Sequence, residues 1–238
     1  MSRTALFAAA AFAPAALAQN LAVNGGFEEP AVGAPWVQRV PGEVFGGWTV
    51  DSGADTQGIV QVGTFGSPMA AEGHQCLELN FYVQGGVWQA IPTVPGQAYD
   101  ISLLLAGQTN AGPDTKHMRI DWEGSEVATL SWSRSQSGGA WQAHTLRVTA
   151  TTSPSVLHFR GLEAVDGGPY LDAVVVTAAG CPADFNGDGF LDFFDYDDYV
   201  NCFETGSCPP GRTADFNGDD FADFFDYLDF VSGFEAGC

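Results

Sequence analysis

Two stretches near the C-terminus carry the residue types and spacings best suited to chemistry. Residues 183–206 read ADFNGDGFLDFFDYDDYVNCFETG, and 31 positions later, at 214–237, the chain reads ADFNGDDFADFFDYLDFVSGFEAG. Each copy opens on a twelve-position loop with oxygen-bearing side chains at positions 1, 3, 5, 9 and 12. In the first these are Asp184, Asn186, Asp188, Asp192 and Asp195; in the second, Asp215, Asn217, Asp219, Asp223 and Asp226. Position 7 would add a backbone carbonyl, that of Phe190 or Phe221. Carboxylates, an amide oxygen and a carbonyl at this spacing form a donor set for a hard cation, and Ca²⁺ is the expected ion in both loops. Position 6 calls for a positive φ. The first copy supplies Gly189, whereas the second has Asp220, so loop two is expected to hold its ion less tightly.

The charge balance agrees. The 238 residues carry 29 acids against 8 bases, a formal −21, and the last 58 residues hold 14 of those acids with Arg212 as their one base. A chain so acidic has no basic stripe for nucleic acid and no charge attraction to an anionic membrane. With 45% hydrophobic and 13% aromatic residues it is not a disordered acidic tail either. Dense carboxylates beside 11 of the 18 phenylalanines point to a folded unit neutralised by bound ions, its folding coupled to metal binding.

After each loop an amphipathic helix is expected. Tyr196, Tyr199, Val200 and Phe203 share one face, and Tyr227, Phe230, Val231 and Phe234 repeat it. Cys181, Cys202, Cys208 and Cys238 form an even set suited to two disulfides in an exported unit. Three pairings are possible, and Cys181–Cys202 with Cys208–Cys238, one staple per copy, is preferred. Duplicated loops with Asp rather than Glu at position 12, followed by short helices and a terminal Gly237-Cys238, resemble a dockerin, specifically the GC-type dockerin-like domain of secreted bacterial proteins. The resemblance covers residues 181–238. It implies docking to a cohesin-like or other cell-surface protein through loop positions 10 and 11, here Phe193, Phe194, Phe224 and Phe225. One phenylalanine of each pair is expected in the core and the other at the surface.

The elements ahead of this unit are of another kind. Residues 1–18 read as a secretory signal, with Arg3, an apolar run and Ala16-Leu17-Ala18 before the expected start at Gln19. The expected location is outside the cell, secreted or at the cell surface. Ten strand-like runs then recur between turn signals, as in Leu146–Thr149 and Val156–Arg160, where apolar and polar residues alternate. The expected fold is mainly β, a jelly-roll β-sandwich over 19–177, then a linker at 178–180 and a small helical unit. The opening NLAVNGGFE (20–28), GWTV (47–50), the Trp88 to Tyr99 run, WQAHTL (141–146) and GPYLDAV (168–174) resemble the galactose-binding-like sandwiches of the DUF642 and choice-of-anchor C families. That likeness implies an extracellular module related to carbohydrate-binding modules, without catalytic activity. It also implies a structural Ca²⁺ at Glu28 and Asp172. On the residues alone, Glu28 reads equally as a turn residue and Asp172 as an exposed strand residue.

A sugar site would need exposed aromatic faces. Trp48 and Trp141 fall in the shared motifs and read as core, which leaves Trp36, Trp88, Trp122 and Trp132 as candidates for stacking or for packing. His74, His117, His144 and His158 are scattered, and neither G-x-S-x-G nor H-E-x-x-H occurs. Three functions follow in order: a secreted, non-catalytic binding and anchoring protein; a polysaccharide-active hydrolase or accessory protein; and a purely structural envelope protein.

Overall fold

The computed structural model describes residues 19–33, 35–51, 60–63, 69–80, 83–188 and 190–237. The expected signal segment, Gly189 and Cys238 lie outside these. Each of the ten expected runs contributes a strand, and two short ones join them: β1 (Trp36–Arg39), β2 (Val44–Phe45), β3 (Trp48–Val50), β4 (Val60–Gly63), β5 (Cys76–Glu78), β6 (Gly86–Ile91), β7 (Ala98–Gly107), β8 (Thr115–Trp122), β9 (Ser125–Ser133), β10 (Gln142–Thr149), β11 (Ser155–Gly161) and β12 (Pro169–Ala178). Between β9 and β10 lies a single helical turn, α1 (Arg134–Ser137).

The strands form two antiparallel six-stranded sheets. One runs β1-β4-β5-β12-β7-β10 and the other β2-β3-β6-β11-β8-β9. Alternation sends one face of each sheet inward: Tyr99, Ile101, Leu103 and Leu105 from β7 meet Met118 and Ile120 from β8 and Leu157 and Phe159 from β11 in one core. Trp48 lies within 5.4 Å of Phe27 and 5.9 Å of Phe159, ring centre to ring centre, and is fully buried, as its motif position led one to expect. The glycines of the opening motif have a steric reason. A Cβ on Gly25 would stand 1.9 Å from the carbonyl oxygen of Val174, because the N-terminal segment passes directly over β12. β12 runs to Ala178, and the Ala179 amide still donates to Ala98 O, so the sandwich reaches further into the expected linker than residue 177.

In the C-terminal unit, α2 (Phe193–Thr205) and α3 (Phe224–Ala236) follow the two loops. Each is closed at its N-terminus by a capping box, Asp192 with Asp195 and Asp223 with Asp226, and at its C-terminus by a left-handed glycine, Gly206 and Gly237. The two expected aromatic faces meet. Tyr199 and Phe230 stack in parallel at 3.9 Å, Phe185 and Phe216 pack edge-on against them, and the Tyr196 and Tyr227 hydroxyls share a hydrogen bond of 2.8 Å. The preferred disulfide pairing is corrected: Cys202 bonds Cys208. Gly206 turns the chain back at the end of α2 and brings the two Cα atoms to 4.3 Å, so the staple closes a local turn instead of tying the helix to Cys181. Cys181 is itself disulfide-bonded, and Cys76 on β5 is a buried free thiol.

Candidate functional site

Three places gather the residues singled out by sequence: the twin loops, the opening-motif segment, and the outer face of the sheet containing β6.

In both loops the acidic side chains turn inward onto their own backbone. Asp184 accepts the amides of Gly187 and Asp188, Asn186 that of Asp188, and Asp188 that of Phe190. Asp215, Asn217 and Asp219 repeat this with Gly218, Asp219 and Phe221, and Asp215 also accepts from Asp220. Position 12 is buried in both copies. Asp195 takes the amides of Asn186 and Asp192, and Asp226 those of Phe216, Asn217 and Asp223. Burial opposes ionisation of Asp226, but these amides outweigh it and hold its carboxyl below the usual range. Among the described residues, Asp215, Asp219 and Asp226 place carboxylate oxygens within 4.8 Å of one another. Such an all-oxygen set suits a hard divalent cation. The convergence occurs in loop two, the loop expected to be weaker. Its Asp220 does adopt the left-handed conformation, φ 73°. The glycine at position 4 of each loop, Gly187 and Gly218, is also left-handed, a shared signal that the sequence displayed at both sites.

The phenylalanines depart from expectation. Phe193, Phe194, Phe224 and Phe225 are all exposed, at 63–69%, and Phe190 and Phe221 join them at 72% and 70%. The helices begin at loop position 10, so their first turn overhangs the aromatic interface that starts at Tyr196 and Tyr227. Phe193 and Phe224 only lean on those tyrosines, at 6.4 and 6.2 Å.

Glu28 and Asp172 bracket one segment. Glu28 accepts the amides of His74 and Gln75, and Asp172 those of Ala71, Glu72 and Ala173. Asp172 is fully buried, not an exposed strand residue. Burial, opposed by the amides it accepts, lifts its carboxyl to about 6.

The tryptophans divide. Trp122 and Trp132 are buried and are not available to a sugar: the Trp122 indole donates to Thr149 O, and that of Trp132 to Ala140 O. Both lie in phase with inward neighbours, Met118 and Ile120 on β8 and Leu130 on β9, and that phase was readable. Trp36 is exposed on β1. Trp88 lies out of phase with Val87 and Ile91 and points outward, partly open, onto a cleft of about 470 Å³ shared with Leu21, Thr49 and Pro92. Glu123 is spent on Thr151, Thr152 and Ser155, and Glu126 faces Arg119 and Thr129.

No protein-family profile matches the chain, and no curated protein is similar to it. Solved structures do align with it. A family 35 carbohydrate binding module from Clostridium thermocellum is 17% identical at a TM-score of 0.41, covering 61% of this chain and 100% of its own. The CBM22-1 xylan-binding domain of Paenibacillus barcinonensis Xyn10C is 16% identical at 0.41, covering 60% and 92%. TmCBM61, solved with β-1,4-galactotriose, is 16% identical at 0.41, covering 68% and 99%. The β-sandwich itself is defined by the order and register of its own two sheets.

Proposed function

We propose that this is an exported, non-catalytic attachment protein. Its C-terminal unit binds two Ca²⁺ and docks on a cohesin-like or other surface protein, while the sandwich recognises carbohydrate beside Trp88. The observation that carries the docking half is the pairing, twice over, of an inward-turned oxygen loop with three exposed phenylalanines. Apolar side chains this open on a unit this acidic are costly to leave in water and mark an interface. The partner's complement is an apolar groove rimmed by Lys and Arg, which matches a surface with 14 acids and one base. Glu28 and Asp172 form the candidate third metal site.

The test uses the full chain. Calorimetric titration is expected to find two Ca²⁺ in the C-terminal unit, with Asp195→Ala and Asp226→Ala each removing one. Capture of a partner from envelope extract is expected with calcium and not with EGTA. Equal recovery in both, or none in either, sinks the docking half.

A further inference from the structure

Beside Trp88, the outer face of the β2-β3-β6-β11-β8-β9 sheet carries an ordered array of polar side chains that no role described so far uses. Directly opposed residues share a face, so the register fixes its rows. One row runs Thr49, Trp88, His158, Asp121 and Glu126 across five strands. The row beside it runs from Asp51, whose amide bonds Gly86 O, through Gly86 to Arg160, Arg119 and Thr129.

These side chains hold one another in place. Asp121 is 2% exposed and receives Arg119 Nε at 2.6 Å and Arg160 Nε at 3.4 Å, so two guanidinium groups that would repel across the strands are fixed side by side. Both remain open to solvent, with side chains 34% and 47% exposed. His158 joins Asp51 through Nε2 at 2.7 Å and lies 3.1 Å from Arg160 Nη2 through Nδ1. Gly86 leaves room for this network: a Cβ there would meet Asp51 Oδ2 at 2.6 Å. Binding groups fixed before a ligand arrives lose little entropy on binding.

We infer that this face binds a neutral polysaccharide chain laid across the strands over several sugar rings, with Trp88 stacking on one ring and Arg119 and Arg160 donating to hydroxyls. The inference rests on the reading of the sandwich as carbohydrate-recognising. Charge decides the class of occupant. Arg119 and Arg160 are matched by Asp51, Asp121 and Glu126, so a polyanion gains no attraction. A hydroxyl, both donor and acceptor, finds guanidinium N–H and carboxylate oxygen side by side. Size decides the length: four inter-strand spacings from β3 to β9 come to about 19 Å, the span of a short oligosaccharide and not of one ring.

The experiment titrates the full chain with β-1,4-linked galactose, xylose and glucose oligomers from dimer to hexamer, and with polygalacturonate. Affinity for one neutral series is expected to rise about tenfold or more with length and then level off. Polygalacturonate binds no tighter. Trp88→Ala abolishes hexamer binding, and Arg160→Gln and Arg119→Gln each weaken it about tenfold. Arg160→Lys, which preserves the charge over Asp121 and removes the fork, shows a similar loss, with thermal melting reporting that each variant is folded. Length-independent binding, tighter binding of polygalacturonate, or full affinity in the folded arginine variants overturns the inference; if Trp88→Ala still abolishes binding, the carbohydrate reading survives. Failure of the intact chain to bind any of these probes overturns both.

Discussion

Trp88 on β6 and Trp132 on β9 belong to one sheet and leave it on opposite sides. Trp132 is 0% exposed and lies 5.8 Å below Lys116 Nζ. Trp132→Ala is therefore expected to cost about 3–5 kcal/mol in chemical denaturation, whereas Trp88→Ala is expected to leave the midpoint nearly unchanged. The inward place of Trp132 was legible in the alternation Leu130-Ser131-Trp132; the outward place of Trp88 was not, because its polar neighbour Gln89 is the residue turned inward, 4% exposed and bonded to the Val23 backbone. Glu78 was not legible in this way. It is a carboxyl on β5, 2% exposed, that accepts the Gly168 amide. Burial raises it to about 8 even though the Gly168 and Gly167 amides pull the other way. Because the folded value exceeds the ordinary 4.5, its contribution is fully present at acidic pH and is lost as pH climbs through about 8. Melting temperatures are expected to fall between pH 5 and 9, Asp172 adding to the early part of the decline, and Glu78→Gln is expected to flatten the curve. An equally steep fall in that variant would assign the effect elsewhere.

At the scale of elements, the repeat made the two helices and their shared face readable, because a 3.6-residue period and a copy 31 positions later say the same thing twice. Where the first turn would point was not readable, since that depends on how far α2 and α3 overlap. Their contact starts at Tyr196 and Tyr227, which leaves all four loop-end phenylalanines outside. Cysteine spacing likewise left three pairings, and only the reversal at Gly206 selects Cys202–Cys208. Asp192 and Asp223 serve two purposes, as loop position 9 and as helix caps whose carboxylates accept the Phe194 and Phe225 amides. Asp223→Ala is accordingly expected to cost about 1 kcal/mol even in EGTA, through the cap alone. In calcium the loss is expected to be larger, through the vanished ligand. Equal losses in the two conditions would mean that position 9 does not contribute to the metal. Phe230→Ala, which removes the ring stacked on Tyr199, is expected to cost about 3–5 kcal/mol and to melt both helices together.

For the whole molecule, the acid that argues against nucleic acid is also expected to govern how the C-terminal unit folds. Its formal −13 within 58 residues repels itself, and two Ca²⁺ would offset four of those charges. Screening tests this without a partner or a mutation. The Debye length is about 10 Å at 0.1 M salt and about 3 Å at 1 M, so added salt relieves repulsion between exposed carboxylates. Raising NaCl is therefore expected to increase the melting temperature of the helical signal in EGTA, and to increase it less in saturating calcium, where the repulsion is already partly cancelled. Magnesium chloride at matched ionic strength separates screening from ligation, because Mg²⁺ demands a tighter octahedral site and dehydrates reluctantly. If calcium raises the midpoint no more than magnesium does, the loops act as a diffuse acidic surface. If calcium alone gives the large shift and salt then adds little, the carboxylates are ligands and the fold of the unit depends on them.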